Sequence, residues 1–315
     1  MADEVAYYSA VSSDHEEDPY SEIGLNSVAS GMPIDGYVEY NYEVGRKGRG
    51  PGQFGGWIQH FTVSHDGKTL YACDVFNKRI QLIDLANRKP IHAFPSNMAG
   101  FKFQARGISV LRNGNLCINC VGFDGTSRIG IFTPEGRVVS NFGQGTIGSS
   151  CAMTVDSMDR ITVMDRRRMQ ITTCSRDGKI LGTFHPQIQG DVLRLGSDNR
   201  GRIIVPNHLD NSVIVFEPNG RAVYKIKPAY GSGHSFKYPG AVACDADDNI
   251  LVCDVGNHKV TQFSSEGVFR TTLLSQKQHG LWRPHDIVAT PQGNVLLSEV
   301  SQTYIKIFCF SARRY

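Results

Sequence analysis

A short turn followed by a β-rich run recurs six times along these 315 residues, and a fixed period narrows the possible folds more than any other feature of the chain. The copies are Asp66-Gly67-Lys68-Thr69-Leu70-Tyr71, Asn113-Gly114-Asn115-Leu116, Asp159-Arg160-Ile161-Thr162-Val163, Arg200-Gly201-Arg202-Ile203-Ile204-Val205, Asp248-Asn249-Ile250-Leu251-Val252 and Gln292-Gly293-Asn294-Val295-Leu296-Leu297. Their first apolar residues stand at 70, 116, 161, 203, 250 and 295, so successive copies are 42 to 47 residues apart. Alternating runs precede each turn, as in Gly107-Ile108-Ser109-Val110, and follow a polar loop after it, as in Ser212-Val213-Ile214-Val215-Phe216. A second turn then leads to a fourth run, as in Glu135-Gly136-Arg137-Val138-Val139. Period-two alternation punctuated by Gly, Asn and Asp predicts four short antiparallel strands per copy.

One four-stranded sheet cannot bury both faces alone, and radial packing of six such sheets solves that problem. The chain is therefore predicted to be all-β, a six-bladed β-propeller; a β-sandwich has no reason to keep a 45-residue period. The last copy runs out after Phe308-Cys309-Phe310, one strand short, while Tyr37-Val38-Glu39-Tyr40-Asn41-Tyr42-Glu43-Val44 precedes the first full copy. That N-terminal strand is expected to close the ring as the outer strand of the last blade, covering an edge that would otherwise invite pairing.

The net charge of +3 conceals a partition. Residues 1–40 hold nine acids and no Lys or Arg, which leaves 33 cations against 21 acids, or +12, for the rest. Residues 1–36, acidic and without periodicity, are expected to form a tail outside a propeller spanning 37–315. No apolar run is long enough to cross a membrane, and the acidic start is unlike a secretory signal. The eight cysteines lie scattered in apolar runs, as expected of reduced, buried thiols in a cytoplasmic protein, and Cys117-Ile118-Asn119-Cys120 has no second CxxC or His pair to complete a zinc site.

Cys73-Asp74-Val75-Phe76-Asn77-Lys78-Arg79-Ile80-Gln81 and Cys253-Asp254-Val255-Gly256-Asn257-His258-Lys259-Val260 resemble the NHL repeat, and Tyr238-Pro239-Gly240-Ala241-Val242 is similar to that repeat's Pro-containing lead into its first strand. The ending Ile305-Lys306-Ile307-Phe308 is like the last blade of the TRIM-NHL (Brat-like) family, and the resemblance covers residues 37–315. Asp74, Asn77, Asp254 and Asn257 are expected to bind the turning backbone, since Asx side chains do so readily. Trp57 and Trp282 are expected as wedges between blades. Arg79 and Lys259 stand just before third strands, where bridging to a neighbouring blade competes with a role in binding.

Successive antiparallel strands alternate direction, so the loop leading into the first strand and the loop joining the second to the third emerge on the same side of the ring. On that side the chain places Lys78, Arg106, Arg128, Arg166, Arg167, Arg168, Arg194, Lys259 and Arg283, with Asp124, Asp191, Asp210 and Asp286 as the opposing acids. Phe76, Phe123, His208, Tyr238, His258 and Tyr304 are interleaved with them. Guanidinium groups meet phosphates and flat rings stack on unpaired bases, a composition suited to single-stranded nucleic acid. The resemblance implies short, U-rich single-stranded RNA as ligand and repression of the bound messages, with translational-repression or miRNA-silencing proteins as partners. It places Arg166 to Arg168 and Tyr238 in RNA-contacting loops; Cys151, Val121 and Gly122 stand where a more basic relative could carry Arg. It further implies a cytoplasmic setting, including ribonucleoprotein granules, and a monomeric propeller.

The competing readings are a propeller that binds proteins through the same loops, as adaptor or substrate-recruiting module of a ubiquitin ligase, and a metal-dependent enzyme. His60, Asp191, His285 and Asp286 could converge on the axis, but there is no HxH, no repeated Glu and no GxSxG, so no enzyme, cofactor or metal is expected. Ligase activity itself would need RING segments, which this sequence lacks. The initiator Met with its acidic lead fits either a propeller-only form or a domain excised from a longer protein.

Overall fold

The computed structural model describes residues 36–312, apart from 99, 149, 189–191, 193, 230, 231 and 291. Six sheets are arranged as the repeat requires. Blade 1 consists of Phe61–Val63, Thr69–Asp74, Arg79–Asp84 and Lys89–Pro95. Blade 2 consists of Phe101–Val110, Leu116–Gly122, Ser127–Phe132 and Val138–Phe142, with Asn97–Met98 added beside its first strand. Blade 3 is Ser150–Val155, Ile161–Asp165, Gln170–Cys174 and Ile180–Phe184. Blade 4 is Gly196–Ser197, Ile203–Asn207, Ser212–Phe216 and Ala222–Ile226. Blade 5 is Pro239–Cys244, Ile250–Asp254, Lys259–Phe263 and Phe269–Ser275.

Blade 6 is built from both ends of the chain. Pro284–Ala289, Asn294–Glu299 and Ile305–Ala312 come from the C-terminal side, and Gly36–Val44 pairs antiparallel with the last of these, from Gly36 opposite Ala312 to Val44 opposite Ile305. The N-terminal strand thus closes the ring as expected, starting at Gly36. Residues 1–35 of the expected acidic tail lie outside the described residues.

The core is divided among the six junctions between neighbouring blades. Phe94 and Leu82 meet Phe103 and Phe132 between blades 1 and 2, and Cys117 and Ile131 meet Met153 and Val163 between blades 2 and 3. Equivalent clusters join blades 3 and 4, 4 and 5, 5 and 6, and 6 and 1. Phe132, Phe263 and Phe308 are fully buried in these seams, each contributing about 1.5–3 kcal/mol of burial free energy. The seven cysteines whose placement is described are free thiols, five of them buried.

Glycines in the turn between third and fourth strands make close stacking possible. Cβ atoms on Gly136, Gly178 and Gly220 would stand 2.3, 2.6 and 2.4 Å from the rings of Phe94, Phe142 and Phe184, each on the outer strand of the preceding blade. All three have positive φ, between 86° and 91°. One ring on one glycine is therefore repeated at three successive junctions.

Candidate nucleic-acid interface

The loops between second and third strands owe their shape to a carboxylate at the end of the second strand. Asp74 Oδ1 accepts the backbone N–H groups of Gly55 at 3.1 Å and Asn77 at 3.3 Å. Its Oδ2 accepts Asn77 Nδ2 at 2.8 Å and Arg79 Nε at 3.0 Å. Asp254 repeats the device in blade 5, accepting Lys237 N and Asn257 Nδ2 at 2.8 Å each, with Lys259 Nζ 3.6 Å away. Burial pushes the Asp254 carboxyl up to about 6 against the opposing pull of these partners. In blade 6 Glu299 accepts Trp282 N at 2.6 Å and Lys306 Nζ at 3.0 Å. Each carboxylate thus ties the loop leading into its blade to a third-strand cation, and Asp74 and Asp254 hold the second loop as well, which confirms the structural reading of Asp74, Asn77, Asp254 and Asn257. It also corrects Lys259: its amine is paired within its own blade instead of being presented to a ligand, and Arg79 is held likewise.

The second loops end on a left-handed residue at the same place in four blades, Lys78, Met169, Asn211 and His258, with φ between 48° and 55°. Phe76 is 42% exposed and Phe123 62%, and the Lys78 amine lies 5.7 Å from the centre of the Phe123 ring across the junction of blades 1 and 2. Arg128 is half-buried with its guanidinium over Phe101 at 4.2 Å. Arg167 and Arg168 are exposed and Arg166 half-buried, with Asp165 Oδ1 accepting the N–H groups of Arg167 at 2.9 Å and Arg168 at 3.1 Å. Tyr304 is half-buried, its ring 6.0 Å from the Lys306 amine.

Three expected contacts are corrected by burial. Tyr238, 7% exposed, has positive φ and packs its ring against Val255, Val300 and Trp57 in a cluster at the axial end of blades 5, 6 and 1. His208 lies beneath this surface, 4.8 Å from the Tyr238 ring. Arg194, 8% exposed, stands just before the two-residue first strand of blade 4 and lines the axial cavity. There Arg194 Nη2 donates to the Gln59 carbonyl, and its Nε lies 3.2 Å from Asp286 Oδ1. Arg106 is half-buried nearby and donates to Gln59 Oε1 at 3.2 Å. Burial, together with the Arg194 charge, holds His60 and His285 well below the usual imidazole range. Beneath this plug an axial cavity of about 230 Å³ is lined by first strands from all six blades. Among the described residues no group of three His, Cys, Asp or Glu is placed to hold a metal, and no helix is long and apolar enough to cross a membrane.

Trp282 was expected as a wedge between blades, and the structure corrects this. It is 51% exposed and stacks on His258, ring centroids 4.3 Å apart and planes 11° apart. Trp57 does pack inside. Arg283 is half-buried beside the stack, its N–H donating to His258 Nδ1 at 3.0 Å. Sequence reasoning missed Trp282 as a surface residue; the signal was its place in the loop leading into blade 6, between Leu281, which is buried, and Arg283.

The molecule is a six-bladed propeller with a cationic, aromatic loop face. An NHL repeat is matched at residues 236–263, the blade 5 segment containing Tyr238 and Asp254. The human E3 ubiquitin-protein ligase TRIM32 is 24% identical over 87% of this chain, the match covering 45% of TRIM32. Mouse NHL-repeat-containing protein 4 is 31% identical over 77 residues, 24% of this chain and 54% of that protein. The chain spans about half the length of these relatives. Among solved structures, a streptogramin B lyase is similar with TM-score 0.60 at 14% identity, covering 90% of this chain and all of the other. The WD40 propeller of Doa1 is similar with TM-score 0.57 at 14% identity, covering 80% and 78%. These likenesses show the fold.

Proposed function

We propose that this chain is an RNA-recognising propeller of the TRIM-NHL (Brat-like) kind, which binds short, U-rich single-stranded RNA on its loop face and directs the bound messages to post-transcriptional repression in the cytoplasm. The observation that carries this reading is the gathering, on one side of the ring, of the Arg166 to Arg168 loop, the Lys78–Phe123 pair and the Trp282–His258 stack. Cations follow a phosphate backbone and exposed rings stack on bases without reading their edges, which suits a pyrimidine-rich single strand. The U-rich preference, the monomeric state and the repression or miRNA-silencing partners follow from the family resemblance. Fluorescence polarisation with a U-rich oligonucleotide tests the reading. Changing Arg166, Arg167 and Arg168 to Glu should abolish binding at moderate salt and flatten its salt dependence. Unchanged binding by that variant overturns the surface assignment.

A second reading, a propeller that recruits protein substrates for a ubiquitin ligase, is supported by the likeness to a protein named as an E3 ubiquitin-protein ligase. Partners that survive nuclease treatment in a pull-down favour it.

A further inference from the structure

Between blades 2 and 3 the loop face is split by a cleft of about 200 Å³, lined on one side by Gly125, Thr126 and Ser127 and on the other by Gly145, Ile147, Gly148, Asp165, Arg167 and Arg168. At about 30 Å³ per water it has room for about six waters, more than the five heavy atoms of a phosphodiester group need. One of its lining residues carries an unsatisfied donor. Ser127 is 2% exposed, and its buried hydroxyl finds no hydrogen-bond partner in the protein. A buried polar group left unmade costs about 1–3 kcal/mol, so a hydroxyl kept in this condition behind the lining of the cleft gains a partner only when a ligand displaces the atoms that cover it.

The charge of the cleft says what enters. Arg167 reaches across from blade 3, its Nη2 3.9 Å from the point where a side chain on Gly125 would begin. Arg168 Nη1 lies 3.6 Å from Asp165 Oδ2 and 3.3 Å from the Thr146 carbonyl. Two guanidinium groups stand against one carboxylate in the lining, with Arg128 and Arg166 beside Asp124 at its margin, so the cleft is net positive and suits an anionic phosphodiester.

We infer that this cleft is the seat of one backbone phosphodiester of the bound strand, with the Ser127 hydroxyl donating to a non-bridging oxygen and the Arg167 guanidinium closing over it. The inference rests on the RNA reading and specifies where the strand crosses from blade 2 to blade 3. Glycines at 125, 145 and 148 leave the walls low, and at Gly148 a Cβ would stand 2.0 Å from Asp165 Oδ2, so that position admits no side chain.

The test pairs Ser127→Ala with a U-rich oligonucleotide series carrying one neutral methylphosphonate linkage at each position in turn. Since the hydroxyl has no partner within the protein, Ser127→Ala should leave the melting temperature unchanged or raise it, while weakening RNA binding about tenfold. At one linkage the wild type should lose about tenfold on neutralisation and the variant should lose no more, because both changes remove the same contact. A melting temperature lowered by Ser127→Ala would make the serine a structural residue and overturn the site. Salt-sensitive RNA binding in which Ser127→Ala is neutral, or adds to the loss at every linkage, overturns the site and leaves the RNA reading standing. No binding of any oligonucleotide in the series overturns both.

Discussion

Trp282 lies flat on His258, the two rings 4.3 Å apart and 11° from parallel, across the junction of blades 5 and 6. The stack is positioned from below by two hydrogen bonds: Trp282 N donates to Glu299, and Arg283 N to His258 Nδ1. The outer face of the indole is left to solvent, on the side of the ring that also carries Arg167 and Arg168.

Replacing Trp282 by Ala should weaken binding of U-rich RNA by about 1–3 kcal/mol, the usual worth of one stacked base. Fold stability should change little, since half of the ring is exposed and its N–H anchor to Glu299 belongs to the backbone. Trp282→Phe should recover most of the affinity. Polarisation titrations beside urea denaturation separate the two effects, and equal losses in both would make Trp282 a packing residue.

The array was legible because its cause is periodic. Turns at a constant interval left no other way to bury both faces of each sheet, and the missing strand after Phe308 required a partner such as 37–44. The surface was less legible. Loop membership told which side of the ring Tyr238, His208 and Arg194 occupy, but not whether they point outward or toward the axis. Tyr238 has a left-handed backbone and Arg194 stands just before the two-residue first strand of blade 4, Gly196–Ser197, and neither feature leaves a periodic trace. Lys259 was misread for a related reason: the buried Asp254 beside it takes up its charge.

Gly178→Ala should destabilise the fold strongly for a surface turn. The new Cβ would stand 2.6 Å from the Phe142 ring, and the residue holds φ at 91°. Overpacking costs about 1–3 kcal/mol and the backbone strain adds about 1 kcal/mol or more. Gly145→Ala is the control, since φ is 77° there but nothing lies within 4 Å. Denaturation midpoints should fall much further for Gly178→Ala; a similar loss in both would mean that the ring contact between blades contributes little.

The axial plug should make the protein sensitive to mild acid. His60 and His285 have pKa values well below 6.5 in the fold, so as the pH drops below about 6.5 the unfolded chain takes up protons that the folded chain refuses. Stability therefore falls with pH from that point until the depressed folded pKa values are reached, by up to about 1.4 kcal/mol per pH unit for each imidazole. Asp254 and Asp286 work in the opposite direction. Burial raises both in the fold above 3.8, Asp254 to about 6, so the folded state takes their protons first and regains part of the stability that the imidazoles lose as pH falls. Melting temperatures between pH 7 and pH 5 should decline, and His60→Gln or His285→Gln should each make the decline shallower. A flat wild-type profile over that range would mean that the plug imidazoles are accessible to protons in the fold.

Two truncations separate closure of the ring from electrostatics. Removing residues 1–44 takes away the strand Gly36–Val44, leaving Ile305–Ala312 as an open edge on blade 6 and removing Val44 from the seam between blades 6 and 1. That protein should aggregate or lose cooperative unfolding. Removing residues 1–35 leaves the pairing from Gly36 to Ala312 in place and deletes eight carboxylates with no Lys or Arg among them. Its melting temperature should match that of the full chain. At low salt its RNA affinity should rise, because a tethered polyanion no longer competes for the cationic face, and the gain should vanish as the screening length shrinks toward about 3 Å at 1 M salt. Equal affinity of both proteins at low salt would show that the acidic segment does not contend for the surface that binds RNA.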